Sequence, residues 1–443
     1  MLRVLRNIPI ATWISILVSL LAYFLFAYHV DRSQFGFVVS LYSILFICFL
    51  IIVQQNDIKT LTSISIVFRL ILLLAIPNLS NDFYRFIWDG RLIWEGINPY
   101  LHLPVDNVGL VHEGQTLYEG MGSMNGSHYT CYPPINQLTF VIPAIFFAKN
   151  LLGSTIVMRL LIILADIGTL YYGKKILKHL GQSTHLIFLY ILNPFIILEL
   201  TGNLHFEGVM LCFLSAAIYF LIKERNTISA VFFSLAVSVK LIPLLFLPLL
   251  FKKLQFKKSV IYYTIILGVN ILYFSPFLSQ ELIDNFMSSI HLYFQNFEFN
   301  ASIYYIIRAI GFEVKGYNII QTVGKFTPII IICFVAIVTF VRKNNVPQVL
   351  ISSMLFSICF YYALSSIVHP WYVAVPLFLS VFTRYRFPLV WSFFIILSYA
   401  AYQTASYQEN LTLVAIEYII VYGVFFYEVV LGKTLRLIKV LKK

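Results

Sequence analysis

The sequence predicts an all-α, polytopic integral membrane protein with about 12–14 transmembrane helices and further helices at its external surface. Hydrophobic residues make up 60% of the chain, charged residues make up only 11%, and the mean hydropathy is +0.85. Soluble domains carry about 25% charged residues, so this composition excludes a soluble protein. The 41 Phe and 29 Tyr suit helices that face the lipid bilayer and anchor at its interfaces.

Apolar segments of roughly 20 residues, the length that crosses a bilayer as a helix, recur along the chain. They are predicted near residues 9–30, 35–53, 60–77, 155–173, 185–201, 206–222, 258–277, 327–341, 347–367, 370–383, 387–403 and 411–431. A further apolar run, 227–251, is split by Lys240 and flanked by basic residues, which belong on the cytoplasmic side. We expect a short hairpin of two helices there, with Lys240 near its outer turn.

The distribution of basic residues predicts the orientation of the chain. The net charge is +12, but most Lys and Arg lie in short loops, where they set topology and do not indicate a nucleic-acid partner. If residues 135–150 form a helix at the outer surface, Lys174 and Lys178 fall on the cytoplasmic side together with both termini. Residues 1–443 then form a single transmembrane domain with two long external regions, 78–154 and 278–326.

The first external region contains the most unusual residues of the chain. Asp82, Arg85 and Asp89 are spaced i, i+3 and i+7, so a helix would place them on one face. Two carboxylates near an arginine can divide their roles, one as a general base and one as a paired or substrate-binding group. The alternative is a local ion pair on an interfacial helix. Trp88 and Trp94 fit either interfacial anchoring or a platform for a sugar ring.

The order of residues in this region resembles a known family signature. The matching positions are Asp82, Tyr84, Arg85, Trp88, Asp89, Gly90, Gly96, Asn98, Pro99 and Tyr100. They resemble the first external loop of GT-C type, polyprenol-phosphate-dependent glycosyltransferases, and most closely the bacterial mannosyltransferases. Phe86 stands where the family signature has a second tyrosine. The resemblance extends through Tyr132-Pro133-Pro134, Asn193-Pro194, residues 203–208 and the segment from Lys240, covering roughly residues 80–250.

The resemblance implies a membrane enzyme with a GT-C-like fold. It would transfer a sugar, with mannose expected, from a polyprenyl-phosphate donor to a hydroxyl of a glycan or glycolipid acceptor, inverting the anomeric centre. The reaction would take place on the external, periplasmic face of the bacterial inner (plasma) membrane. Asp82 would be the general base, with Asp89 and Arg85 in support. Gly96 to Tyr100 would shape the turn that follows. The lipid bilayer itself is an expected partner, because the donor carries a lipid tail. None of the motifs requires a metal or another cofactor, although the carboxylates could hold a metal ion.

Further residues are candidates for substrate binding. Basic groups at membrane depth could stabilise the leaving phosphate, and Lys240, Arg308, Arg85 and Arg69 are the candidates. Arg69 could instead pair with Asp166 and join two helices. The predicted substrate-binding residues are Trp88, Arg91, Asn98, Tyr100, Tyr132, His205, Glu207, Lys240, Arg308 and His369. For His205, Glu207 and His369, a helix cap or an ordinary interfacial turn is the alternative.

Two other functions are open to a chain of this kind. A transporter or flippase for lipid-linked sugars should have buried charges near the bilayer midplane, broken helices in paired positions and symmetric halves. A polymerase or ligase acting on lipid-linked sugars should have its largest external loop late in the chain, with arginines in it. Here the acidic external loop comes early, and the two halves show no clear repeat. The five cysteines lack the spacing of a metal site or of a disulfide framework.

Overall fold

The structure is a computed structural model that describes residues 9–295, 297–404 and 407–435. The chain is helical throughout this part, and one isolated parallel bridge joins Phe299 to Ile367. The all-α, polytopic fold predicted from the sequence is therefore confirmed. Residues 1–8 and 436–443, which carry the predicted cytoplasmic termini, lie outside the described residues.

The helices are numbered in chain order. They are α1 (Ile10–Tyr28), α2 (Phe35–Gln55), α3 (Ile58–Ile71), α4 (Asp82–Trp94), α5 (Gly114–Gly126), α6 (Pro134–Phe147), α7 (Leu151–His179), α8 (Thr184–Ile191), α9 (Pro194–Gly202), α10 (Glu207–Ile222), α11 (Asn226–Val239), α12 (Phe251–Phe274), α13 (Gln280–Gln295), α14 (Ile303–Lys315), α15 (Ile320–Val341), α16 (Pro347–Leu364), α17 (Pro370–Ser380), α18 (Phe387–Gln403) and α19 (Leu411–Val430).

Seven of the described helical segments are long and apolar enough to cross a bilayer, and α8 with α9 adds an eighth if this bent pair is one span. The pair bends by 50°, with Asn193-Pro194 at the break. Proline lacks the N–H that a continuous helix would need at this position. Other predicted spans correspond to shorter apolar helices such as α10, α11, α17 and α18.

The segment predicted as a hairpin has one regular arm. Helix α11 ends at Val239, and Lys240 adopts an extended conformation. The second arm is a series of 3₁₀ turns, Ile242–Phe246 and Pro248–Leu250, that leads directly into α12. The second arm is therefore helical but of the 3₁₀ type, because Pro243 and Pro248 interrupt the α-helical hydrogen bonds. The predicted position of Lys240 at the turn is confirmed.

The chain forms two compact units. The first consists of residues 1–80, 162–208 and 370–443. Its interior contains paired charges: Arg69 Nε donates to Asp166 Oδ2 at 2.7 Å, and both side chains are buried. The predicted pairing of these two residues is confirmed. A second buried carboxylate, Glu199 on α9, accepts a hydrogen bond from Tyr399 Oη at 2.6 Å.

The second unit consists of residues 81–161 and 209–369. It contains residues 81–154 and 278–326, which are nearly all of the two external regions predicted from the sequence. Helices α4 and α6 pack closely, with the rings of Phe86 and Phe140 stacked at a centroid distance of 4.7 Å. Helices α11 and α12 are joined by a hydrogen bond between Ser229 Oγ and Tyr262 Oη, 2.9 Å long. The candidate site lies around α4.

Candidate active site

Helix α4 has well-defined ends. Asp82 is in its first turn, where the helix dipole stabilises a negative charge. At the other end, Gly96 has a φ of +77°, and the N–H groups of Gly96 and Ile97 donate to the carbonyls of Ile93 and Leu92 at 2.9 Å. This is a Schellman motif, which uses glycine because a side chain is strained at positive φ. The predicted role of Gly96 in shaping the turn is confirmed.

Asp89 is a buried, fully paired carboxylate. Its side chain is 0% exposed, and Arg85 Nε donates to Oδ1 at 2.8 Å. Its second oxygen, Oδ2, accepts a hydrogen bond from Gln137 Nε2 at 3.0 Å. Gln137 also donates to Thr130 Oγ1 at 3.0 Å. A carboxylate held in this way is a structural anchor between α4 and α6 and is shielded from an external substrate.

Asp82 differs from Asp89 in its surroundings. It lies two helical turns earlier on α4 and is partly exposed, whereas Asp89 is fully enclosed. The helix N-terminus favours its ionised form, which is the form that can accept a proton. Of the two aspartates in the signature, Asp82 is thus the one that a substrate can reach.

Arg85 lies between Asp89 and an open pocket. Its Nη1 donates to the backbone carbonyls of Asn125 at 2.6 Å and His128 at 2.8 Å. Its Nη2 is buried and makes no hydrogen bond within the described part of the chain. The pocket is small, with a cavity volume of about 30 Å³, and its lining includes Arg85, Asn125, His128, Tyr129, Tyr132 and Ser289. The interior position of Arg85 was not predicted, and its guanidinium is already neutralised by Asp89.

The turn after α4 connects the two external regions. Asn98 Oδ1 accepts from Tyr100 N, and Asn98 Nδ2 donates to the carbonyl of Phe277, both at 3.1 Å. Tyr100 is buried, its hydroxyl donates to the carbonyl of Tyr132 at 2.7 Å, and its own carbonyl accepts from Asn285 at 2.9 Å. Burial, assisted by the charge of Asp89, raises the pKa of Tyr100. Asn98 and Tyr100 therefore hold the loop in shape.

Tyr132, Lys240 and His369 form a second cluster in the same unit. Lys240 Nζ lies 5.3 Å from the centroid of the Tyr132 ring, within cation–π range. The ring of His369 contacts Phe299 at a centroid distance of 5.2 Å. Burial, with a smaller effect from the charge of Lys240, lowers the pKa of His369 to about 3. His369 is therefore neutral at physiological pH, and Lys240 supplies the positive charge of this cluster.

Two predicted binding residues of α4 are buried. Trp88 is 0% exposed, so its ring packs in the interior and offers no surface on which a sugar could stack, whereas Trp94 is 49% exposed. Arg91 Nη2 pairs with Glu113 Oε2 at 3.0 Å, and Nη1 donates to the carbonyl of His112. Burial lowers the pKa of Arg91. Arg91 therefore holds the loop that follows α4, and Trp88 is part of the interior packing.

Arg308 belongs to a separate cluster on α14. It forms an ion pair with Glu298, which also accepts hydrogen bonds from Tyr304 Oη at 2.6 Å and from Asn318. The guanidinium lies 4.3 Å from the ring centroid of Tyr305. These contacts fix the start of α14, and Arg308 is already paired.

His205 and Glu207 lie in the first unit, at the start of α10. The imidazole of His205 stacks on the indole of Trp371 with a centroid distance of 3.7 Å, and both His205 and Glu207 are buried. Their predicted contact with substrate stays a prediction. Within the described residues, no group of three or more His, Cys, Asp or Glu side chains is arranged to hold a metal ion.

Several important residues were missed by the sequence reasoning. Gln137 on α6 bonds Asp89, and Ser289 on α13 lines the pocket. A single amide or hydroxyl group in a helix gives little indication of such a role. Glu199 and Arg159 are different, because each interrupts an apolar helix and is buried. An ionisable residue at membrane depth is expensive and therefore informative. Both could have been identified by this criterion.

Comparison with known proteins places residues 9–254 within the sequence model of the alpha-(1->6)-mannopyranosyltransferase family, N-terminal domain. A stretch of 182 residues is 24% identical to alpha-(1->6)-mannopyranosyltransferase A of Mycobacterium tuberculosis, covering 41% of this chain and 34% of that protein. The protein of the same description from Corynebacterium glutamicum is 22% identical over 175 residues, covering 38% of this chain and 34% of its own length. The matched part thus spans about a third of each of these relatives.

Proposed function

Because the chain belongs to the alpha-(1->6)-mannopyranosyltransferase family, we propose that it transfers mannose from a polyprenyl-phosphate donor to a hydroxyl of a glycan or glycolipid acceptor. The observation that carries this proposal is the contrast between the two aspartates of α4. Asp89 is enclosed and paired, whereas Asp82 is partly exposed at the helix N-terminus. One accessible carboxylate is what a single displacement at the anomeric carbon needs.

In this mechanism Asp82 accepts the proton of the acceptor hydroxyl as its oxygen attacks the anomeric carbon. The bond from that carbon to the phosphate oxygen breaks, and the polyprenyl phosphate leaves with the bonding electrons. A single displacement inverts the anomeric configuration. Lys240 is the proposed stabiliser of the phosphate charge. We place this reaction on the external face of the inner membrane, where a lipid-linked donor can be reached from the bilayer.

The test is transfer of radiolabelled mannose from polyprenyl-phosphate-mannose by purified protein in detergent. Asp82→Asn should lower turnover by about 10²–10⁴-fold, the usual contribution of a general base. Asp106→Asn is the matched control, because Asp106 is an exposed carboxylate of the same external region. Unchanged turnover in Asp82→Asn would exclude Asp82 as the base. Transfer from a nucleotide sugar without a lipid carrier would contradict the donor assignment.

A flippase for the lipid-linked sugar is the second candidate, favoured by the bent pair α8–α9 and its buried Glu199. Transporters of this kind carry broken helices in paired positions, whereas the described residues contain one broken helix, α8–α9, and not two. The detergent assay separates the two candidates because no membrane has to be crossed. A flippase would not transfer mannose under these conditions.

A further inference from the structure

We propose that a basic patch in the second unit binds the anionic headgroups of membrane lipids. The basic patch is built from three loops that are distant in sequence, and it carries eight basic residues and one acidic residue: Lys223, Glu224, Arg225, Lys252, Lys253, Lys257, Lys258, Arg342 and Lys343. All three loops belong to residues 209–369 of this unit. The inference concerns the lipid around the protein and is independent of the proposed reaction.

Two contacts bring the three loops together. Lys252 Nζ donates to the carbonyls of Phe340 and Arg342, the latter at 3.0 Å, where α15 ends. Lys253 Nζ lies 3.6 Å from Oε1 of Glu224, which is in the turn between α10 and α11. Because Lys252 and Lys253 are neighbours in the chain, the turn after α10, the start of α12 and the end of α15 meet at one place.

The positive charge of the basic patch is largely uncompensated. Glu224 is the one acidic residue of the three loops, and its side chain is 77% exposed. An ion pair as exposed as that of Glu224 with Lys253 contributes little. Lys257, Lys258 and Lys343 are exposed. Since like charges gathered in this way repel one another, an anion beside them lowers the energy of the protein.

The basic patch lies where two membrane-spanning segments end. Helix α15 is long and apolar enough to cross a bilayer, and so is the segment that contains α12. Four apolar side chains of α12 that are 49–73% exposed lie on one face of the helix, at intervals of four, seven and four residues: Phe256, Val260, Leu267 and Ile271. An exposed apolar face on a membrane-spanning helix contacts the hydrocarbon of the bilayer.

Lipid is the partner that this position fits. The apolar face of α12 ends at Phe256, next to Lys257 and Lys258, so the ammonium groups lie at the level where lipid headgroups begin. At the end of α15, Phe340 and Val341 are 65% and 75% exposed, so this side is open to lipid as well. Lys and Arg clustered at the end of a span attract anionic lipids, by about fivefold in affinity per residue. A free anion would lack the acyl chains that these apolar side chains contact.

The test measures which lipid lies next to position 256. Phe256→Trp introduces an indole whose fluorescence is quenched by brominated acyl chains in contact with it, and the protein without this substitution gives the background of its five Trp. The whole chain is reconstituted in phosphatidylcholine bilayers that contain a minor fraction of brominated phosphatidylglycerol or of brominated phosphatidylcholine. Phosphatidylglycerol should be enriched about five- to thirtyfold at this position, the effect of one or two lysines. Sodium chloride at 1 M, where the Debye length is about 3 Å, should remove most of this enrichment.

Variants of the exposed lysines test the source of the enrichment. Lys257→Gln combined with Lys258→Gln, in the protein that carries Phe256→Trp, should lower the enrichment of phosphatidylglycerol by about fivefold. Lys315→Gln combined with Lys325→Gln is the matched control. It removes two exposed lysines of the same unit that lie outside the basic patch, around the start of α15. The control should keep the enrichment of the parent protein.

A second measurement needs no introduced indole. Phosphatidylglycerol added to the protein in detergent should raise its thermal unfolding temperature more than phosphatidylcholine does, because a ligand of the folded state stabilises it. This difference should shrink in Lys257→Gln with Lys258→Gln and persist in the control pair. Inorganic phosphate, tested alone, should not reproduce it.

Each opposite result would overturn the inference. Equal quenching by the two brominated lipids would show that no anionic lipid is selected. An unchanged enrichment in the lysine pair, or an equal loss in the control pair, would mean that the basic patch is not its source. An equal rise with inorganic phosphate would assign the charges to a free anion. Neither measurement involves mannose transfer, so the results do not depend on the test of Asp82.

Discussion

Asp82 and Asp89 carry the same functional group on one helix, yet they differ in exposure and in hydrogen bonding. Asp89 accepts hydrogen bonds from Arg85 and Gln137 and has no exposed surface. Removing one partner of such a buried pair typically costs about 3–5 kcal/mol, because the other charge is left uncompensated. Loss of activity in an Asp89 variant would therefore reflect unfolding, and thermal unfolding must accompany every activity measurement at this position.

Acid is expected to destabilise the protein through His369. Its pKa is lowered to about 3 in the folded state from 6.5. Between these values the unfolded chain binds a proton that the folded chain does not, so the free energy of unfolding falls as the pH falls, by at most about 1.4 kcal/mol per pH unit. His369→Asn should lose less stability than the wild type between pH 7 and pH 5, measured by thermal unfolding in detergent. Equal losses would mean that His369 has an ordinary pKa.

Individual residues were predictable where a single local rule applied. The pairing of Arg69 with Asp166 followed from the cost of ions at membrane depth, and the turn at Gly96 followed from glycine and its neighbours. The burial of Trp88 was not predictable, because an aromatic ring at an interface is equally consistent with anchoring, stacking or packing. The choice depends on α5 and α6, which lie elsewhere in the sequence.

Close contact between α4 and α6 depends on Gly90. A Cβ atom at this position would lie 1.9 Å from the carbonyl oxygen of Phe140, so the helices would have to separate. Gly90→Ala should lower the free energy of unfolding by about 1–3 kcal/mol and weaken the bond between Gln137 and Asp89. Gly268→Ala on α12 is the control, since a Cβ there meets nothing within 4 Å. Equal melting temperatures for the two variants would contradict this account of the packing.

At the level of elements, the long spans were predicted well and the short ones less so. Continuous apolar runs such as α1, α2 and α15 have one simple solution in a bilayer, a helix of sufficient length. The segment after Lys240 was predicted as a helix because its residues are apolar. Its prolines instead favour 3₁₀ turns, because they lack the N–H that an α-helix needs. A hydropathy value measures how apolar a residue is and does not reflect this effect on the backbone.

For the whole molecule, the orientation of the later loops depends on whether α6 and α7 each cross the membrane. Helix α7 has 29 residues, about 43 Å of helix, and exceeds the hydrocarbon thickness of about 30 Å. Helix α6 has 14 residues, about 21 Å, and is too short to cross upright. We therefore expect one crossing between residues 95 and 178. Added cysteines in Glu95→Cys and Lys178→Cys should react with an impermeant thiol reagent from opposite sides; labelling of both from outside would refute this topology.

The contacts between α13 and the first external region are made to main-chain atoms. Asn285 donates to the carbonyl of Tyr100 at 2.9 Å, and Ser289 donates to the carbonyl of Tyr129 at 2.8 Å. A carbonyl is present whichever residue occupies the position. The side chain at position 129, on the pocket wall, can therefore be exchanged without detaching α13. Pocket residues of this kind are free to diverge while the scaffold stays assembled.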